Sequence, residues 1–276
     1  AISSTQVGET ELVLYQKVGV RDGAYGNTPW VHEMPDPVSK VTWDNYLSIS
    51  MPDAKANGWE NGDLIKVTAG SYSIDSIPVL IQPGQAKGTF GIALGFGRVL
   101  PETVKNDLKD LGENAYPLVS YKDGSAGYVI ANPTFEKVGE GYEFGITQTH
   151  YSIEGRDIVR EASINAYNED NAAGNHVHKP AAISLWSSHD YSKGHHWGMA
   201  IDLNSCTGCS ACIVSCSIEN NVPVVGKDEI RRGREMHWLR IDRYYSFEAS
   251  EAKDLSLGLV HGGDQTIAEG DYMSQE

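Results

Sequence analysis

The sequence predicts an α+β chain that is mainly β: a small β-barrel followed by a compact cysteine-rich module. Three observations carry this expectation. Residues 41–100 hold short β-type segments separated by Gly- and Pro-containing turns, the pattern of a small barrel. The intervening residues 146–196 show neither helical nor strand periodicity, so they read as a connecting arm. All four cysteines lie within residues 206–216. The expected organisation is therefore a β-barrel region over 1–145, an arm over 146–196, and the start of a second module over 197–276.

Each element has a local reason. Leu12, Val13, Leu14, Val18 and Val20 suggest a strand or two before the Gly23–Pro29 loop. Leu47-Ser48-Ile49-Ser50 forms a short strand. Met51-Pro52-Asp53-Ala54 then opens a helix that Gly58 ends. The turn Glu60-Asn61-Gly62-Asp63 leads into a strand over 64–68, and residues 74–81 form the next. A turn at Gln82-Pro83-Gly84-Gln85 precedes β-structure over 87–93. Residues 102–111 suit a short helix, and 116–130 are β-type. Residues 199–203 read as a strand delivering the cysteine loop, and the alternation of Trp238, Arg240 and Asp242 with Leu239, Ile241 and Arg243 predicts another.

Composition excludes several function classes. The 276 residues carry 22 Lys+Arg against 37 Asp+Glu, a net charge of −15, which disfavours nucleic acid as a partner. An apolar fraction of 40% argues against wholesale disorder. No run approaches the roughly 18 apolar residues of a membrane span, so membrane association is expected to pass through another subunit. Seven of the acids fall in residues 248–276, which read as a solvated loop.

The chemistry concentrates in Cys206-Thr207-Gly208-Cys209-Ser210-Ala211-Cys212-Ile213-Val214-Ser215-Cys216. Its C-x2-C-x2-C-x3-C spacing matches the bacterial ferredoxin run. Two-residue gaps let a loop curl so that three thiolates reach three iron corners, while Cys216, a helical turn on, serves a second cluster. Small residues at 207, 208, 210 and 211 allow backbone N–H groups to approach the sulfides. Zinc prefers two separated cysteine pairs, disulfides here would need strained loops, and a c-type haem needs a His after CxxC. Cys206, Cys209, Cys212 and Cys216 are thus the expected metal and cofactor ligands. Two cubanes need about eight thiolates by this arrangement, and the chain has four. The expectation is that the protein continues past Glu276 into further cysteine motifs.

Around these residues the chain resembles a known family. His195-His196-Trp197, the cysteine run, Asn220-Asn221-Val222-Pro223 and Arg231–Tyr245 are similar to the iron–sulfur half of the large periplasmic subunit of alternative complex III. The same module occurs in electron-transfer subunits of polysulfide reductase-like enzymes. Asn27-Thr28-Pro29-Trp30-Val31-His32-Glu33-Met34-Pro35-Asp36-Pro37 and Thr42-Trp43-Asp44-Asn45-Tyr46 resemble the start of the C-terminal dinucleotide-binding barrel of molybdopterin oxidoreductases. Residues 147–150, 154–156 and 158–161 resemble that family's linker. The resemblance implies a ferredoxin-like module carrying 4Fe-4S or 3Fe-4S clusters that relay electrons from quinol to cytochrome haems. It also implies a barrel without molybdopterin, acting as scaffold. The implied partners are a quinol-binding integral membrane subunit and multihaem cytochrome c subunits, at the periplasmic face of the inner membrane. The alternative is the end of a catalytic molybdopterin oxidoreductase fused to its electron-transfer module.

The remaining features have plainer readings. His150, His176, His178, His189, His195 and His196 crowd the arm without an HExxH-type spacing, so they read as loop and packing residues; His237 is read similarly. Arg231, Arg232 and Arg234 suit pairing with Glu229 and Glu235. Asp44 and Asp63 read as turn or cap residues. No Ser/His/Asp or paired-carboxylate arrangement supports hydrolysis.

Overall fold

The computed structural model describes residues 9–98, 111–151, 160–175 and 183–245. Residues 102–110 of the expected helix, the histidines at 176 and 178, residues 154–156 and 158–159 of the linker motif and the acidic stretch 248–276 lie outside the described residues. The chain divides into two compact units, one comprising Ala1–Ser152 with Gly208–Glu276, the other Ile153–Thr207.

The first unit is built, among its described residues, on a seven-stranded mixed sheet. In chain order the strands and helices are β1 (Glu11–Tyr15), α1 (Pro29–Glu33), β2 (Val41–Thr42), β3 (Leu47–Ile49), α2 (Met51–Asn57), β4 (Leu64–Ala69), β5 (Tyr72–Ile81), β6 (Thr89–Ala93), β7 (Ser120–Lys122), β8 (Ser125–Gly127), β9 (Val129–Ala131), β10 (Thr134–Gly139) and β11 (Gly145–Ile146). The large sheet runs β10-β4-β5-β3-β6-β1-β9, while β11 pairs with β2 and β7 with β8. Strand β1 runs parallel to β6, and β3 parallel to β5; the remaining neighbours in the large sheet are antiparallel.

Side-chain alternation decides which face is inside. Leu12 and Leu14 on β1, with Ile65 and Val67 on β4, point into one core. Residues 77–81 of the longer β5 are buried on both faces, as befits a strand inside the sheet. The sheet curls strongly. Phe90 on β6 and Phe135 on β10 lie four places apart in strand order, yet their rings meet at 4.2 Å. Strands β10 and β9 remain its edges, so the barrel expected from the turns is an open, curled half-barrel.

Helix α2 forms where its caps require it. Ser50 Oγ accepts the Asp53 N–H at 3.1 Å, Pro52 occupies the first turn, and Gly58 closes the helix at φ 64°. Gly62 at φ 85° makes the predicted turn, and a Cβ there would stand 2.3 Å from the Tyr142 carbonyl oxygen. Val18 and Val20, however, form no strand; residues 17–21 make a tight turn closed by the Arg21 N–H on the Lys17 carbonyl at 2.9 Å.

In the second unit, helix α3 (Ile164–Glu169) is capped by Ser163, whose Oγ accepts the Ala166 N–H at 3.2 Å. Residues 183–203 there hold neither helix nor strand, so the strand expected over 199–203 does not form. Its alternating apolar side chains, Met199, Ile201 and Leu203, find no neighbouring strand edge among the described residues of the unit and stand exposed.

Candidate functional site

The cysteine run straddles the division between the two units, with Cys206 in the second and Cys209, Cys212 and Cys216 in the first. Cys206 is presented by an aspartate turn. Asp202 accepts the N–H of Asn204 at 3.0 Å and the Ser205 hydroxyl at 2.8 Å through its carboxylate, and its carbonyl accepts the Cys206 N–H at 3.0 Å. The Ser205 hydroxyl and the Asn204 amide hold the Asp202 carboxyl below its ordinary range.

In the first unit the run becomes a loop followed by helix α4 (Ala211–Glu219). Gly208 at φ 66° and Ser210 at φ 56° both adopt the left-handed conformation, so the chain reverses sharply just before the helix. Ser210 is buried, and Ile213 and Ser217 form the buried face of the helix at i, i+4 spacing. Ile213 lines two small cavities, one with Pro35 and the other with Trp30 and Met34. Cys212 and Cys216 share an adjoining stripe, also at i, i+4, with Cys212 exposed and Cys216 half-buried. Asn220 at the helix end donates from Nδ2 to the Cys216 carbonyl at 2.9 Å and stands 3.5 Å from the Cys216 sulfur.

All four thiols are free. Among the described residues no three His, Cys, Asp or Glu side chains are gathered tightly enough to hold a metal ion. The donor chemistry nevertheless fits a thiolate-bound cluster. The first helical amides, those of Ala211 and Cys212, take no hydrogen-bond partner among the described residues, and Ser210 provides no side-chain cap. Unpaired N–H groups and the positive end of the helix dipole thus lie beside Cys209 and Cys212, where negative charge on sulfur is favoured.

The segment after α4 is fastened to the barrel unit by buried polar side chains. Glu33, 3% exposed at the end of α1, accepts the Val225 N–H at 3.0 Å and the Gly226 N–H at 2.7 Å. These amides lead into helix α5 (Lys227–Arg231). Burial raises the Glu33 pKa, and the two amides offset part of that. Asp44, 1% exposed, pairs with Lys227 Nζ at 2.8 Å. Burial by itself would lower the Lys227 pKa, but the Asp44 carboxylate and the Tyr142 hydroxyl hold it above the usual lysine value. Lys17 is buried beneath, with Nζ on the Asp44 carbonyl at 3.0 Å and 4.1 Å from the Tyr46 ring centre. Asp44 is therefore an interior ion-pair partner, not the cap its sequence context suggests. Asp63 does serve its turn, accepting the Glu60 N–H at 2.9 Å, and also pairs with Lys137 at 2.8 Å.

Residues 236–243 continue along the same unit without forming the expected strand. Side chains take the place of a neighbouring strand. Gln148 donates to the Arg243 carbonyl at 2.8 Å and accepts the Arg243 N–H at 3.0 Å, while Lys40 Nζ donates to the Ile241 carbonyl. Burial lowers the Lys40 pKa to about 8. The arginine cluster is internally paired: Arg232 and Arg234 meet Glu229 at 2.7 and 2.6 Å, and Arg231 meets Asp228 at 3.0 Å. Glu235 takes no part in these pairs.

Of the described histidines, His32 is buried and packs against aromatic rings, while His189, His195 and His196 are exposed. His32 stacks on Trp43 at 5.8 Å with an 8° interplanar angle, its Nε2 2.8 Å from the Gly26 carbonyl oxygen. His189 and His196 flank Tyr191 at 4.8 and 5.4 Å, and His195 lies 6.2 Å from Trp197. His237 lines both small cavities beside Ile213. Sequence reasoning missed Glu33, Lys227, Gln148 and Asn220 as supports of this region. For Asn220 a signal existed, its position four residues after Cys216 at the helix end; for the others none did.

No family model matches the chain. Over 43 residues it is 46% identical to the menaquinone reductase iron–sulfur cluster-binding subunit of Nitratidesulfovibrio vulgaris, covering 16% of this chain and 16% of that protein. Over 35 residues it is 51% identical to a tetrathionate reductase subunit of Salmonella typhimurium, covering 13% of this chain and 14% of that protein. The matched stretches thus span 16% and 14% of these relatives' own lengths. The acetylene hydratase structure from Pelobacter acetylenicus aligns with 47% of this chain and 18% of its own at 14% identity, with a TM-score of 0.33, too low to carry an argument.

Proposed function

We propose that the chain is part of an iron–sulfur electron-transfer subunit, with Cys206, Cys209, Cys212 and Cys216 as cluster ligands. The observation that carries this reading is the C-x2-C-x2-C-x3-C run, whose thiols are free and whose last two occupy one stripe of a short helix with unpaired N-terminal amides. The two short matches, to proteins named as an iron–sulfur cluster-binding subunit and as part of a tetrathionate reductase, support it. A bound cluster supplies reversible one-electron storage. The protein's contribution is thiolate donors, unpaired amides at the start of the cysteine helix, and a polar clamp from Glu33, Asp44 and Lys40 that fixes the segment following the helix.

The finer reading follows from the family resemblance. The protein serves a membrane-associated respiratory complex of the alternative complex III type, passing electrons from quinol to cytochrome haems at the periplasmic face. Its partners are then a quinol-binding integral membrane subunit and multihaem cytochromes. No described helix is long and apolar enough to cross a membrane, which is compatible with attachment through such partners. In this reading the barrel half is scaffold and holds no molybdopterin.

Metal and sulfide analysis of the anaerobically purified full protein, with EPR after reduction, tests the assignment. Iron and acid-labile sulfide are expected, and Cys209→Ala should abolish one cluster's signal. Stoichiometric zinc without iron, or an EPR spectrum unchanged by Cys209→Ala, overturns it. Stoichiometric molybdenum would replace the scaffold reading with a catalytic molybdopterin enzyme.

A further inference from the structure

A cavity of about 360 Å³ opens in the first unit where the end of β5 meets residues 142–151 and 231–245. Its size falls in the range of small-molecule sites, and the cysteine chemistry does not use it. Leu80, Phe144 and Ile146 supply an apolar wall, and Tyr142, Tyr151 and Tyr245 add aromatic rings. Tyr151 and Tyr245 are splayed, with centroids 6.2 Å apart and planes at 52°, so they do not cover each other as a stacked pair.

Charge decides what the cavity excludes. Arg231 is neutralised by Asp228 at 3.0 Å, and the remaining lining charges, Arg243 and Glu143, are of opposite sign. The wall therefore has no net charge to recruit an anion. A cation fares no better, because ring faces are already taken. Lys227 and Arg231 lie 5.4 and 5.7 Å from the Tyr142 ring centre, and Arg243 lies 4.8 Å from that of Tyr245. The cavity suits a neutral ligand.

Two polar groups on this wall are open. Tyr151 is 5% exposed, and its hydroxyl has no hydrogen-bond partner among the described residues, yet it is not sealed from solvent. Burial raises its pKa, an effect that Arg243 opposes, so the hydroxyl keeps its proton and can donate as well as accept. Gln82 spends Nε2 on the Pro83 carbonyl at 3.0 Å and the Tyr245 hydroxyl at 2.9 Å. Its Oε1 is left as an acceptor that no described group engages, and it too is unsealed. Both residues adjoin Tyr245, so one ligand can reach the two groups.

We propose that this cavity binds a neutral aromatic alcohol, its ring against Phe144, Tyr151 and Tyr245, its hydroxyl accepting from Tyr151 and donating to Gln82 Oε1. The aromatic wall favours a ring, and a single hydroxyl supplies both the acceptor and the donor that the open groups call for. This site is independent of the iron–sulfur reading and stands or falls separately.

Calorimetric titration of the full protein with 2-naphthol tests it. Saturable one-to-one binding is expected. It should be weaker by about fivefold for 2-methoxynaphthalene, which lacks the donor, and by about tenfold or more for the anion 2-naphthoate, which no net wall charge neutralises. Tyr151→Phe removes only the open hydroxyl and breaks no internal hydrogen bond. It should weaken 2-naphthol binding by about fivefold and leave the thermal melt of the ligand-free protein unchanged. Absence of saturable binding, undiminished affinity for either analogue, or undiminished affinity in Tyr151→Phe each overturns the proposal.

Discussion

Asp44 and Lys227 form an ion pair of 2.8 Å between residues 183 positions apart, with the Asp44 side chain 1% exposed and that of Lys227 15%. It joins the barrel to the helix that follows the cysteine segment. Removing one partner strands the other's charge in a poorly solvated site. Lys227→Met should therefore destabilise the protein by about 3–5 kcal/mol, whereas pairing it with Asp44→Leu should recover much of that loss. Urea unfolding of the two single variants and the double variant measures the coupling. Additive effects would show that the pair contributes nothing specific.

Glu33 performs a related task with backbone partners. Truncation by Glu33→Ala leaves the Val225 and Gly226 N–H groups without their acceptor, at a cost of about 1–3 kcal/mol. The loosening should be local to the post-helix segment. Limited proteolysis should cut residues 222–245 faster in the variant while the β-sheet core stays protected.

Lys40 predicts a pH dependence. Its pKa falls from 10.5 to about 8 because burial disfavours the ammonium, an effect that Asp242 opposes and Arg243 reinforces. Between these values the unfolded chain binds more protons than the folded one, so stability should rise as pH increases from about 8. Tyr15 and Tyr46, both raised by burial above the ordinary 10.0, act in the opposite sense only once pH approaches that value. Lys17, whose pKa burial also lowers, acts in the same sense as Lys40, so thermal melts between pH 7.5 and roughly 9.5 should show a rise that Lys40→Met reduces. An equal slope in both proteins would exclude Lys40 as its source.

Asn220 gives a spectroscopic prediction. Its Nδ2 stands 3.5 Å from the Cys216 sulfur, and an N–H directed at a ligand sulfur favours the more negative, reduced state of a cluster. Asn220→Ala should lower the potential of the cluster that Cys216 is proposed to bind, read by potentiometric EPR titration. A shift in the opposite direction, or none, would remove Asn220 from that role.

Several features could be read from the sequence because local chemistry settles them. Partial alternation in β4 sorted buried from exposed side chains, and Pro52 and Gly58 marked the start and end of α2. Local pattern failed where a distant partner decides. Residues 238–243 alternate as a strand would, yet Gln148 and Lys40 take up the backbone groups that a neighbouring strand would have bonded. Met199, Ile201 and Leu203 alternate as well, but hydrogen-bonded edges are not encoded in periodicity. The same limit applies to the clamp. Glu33 and Asp44 lie in a stretch notable only for its resemblance, and nothing local tells that their carboxylates will be buried against residues 225–227. Spacing along the chain pointed to the residues proposed to carry the chemistry; only the folded path, through long-range burial and hydrogen bonding, decided what holds the cysteine helix against the barrel.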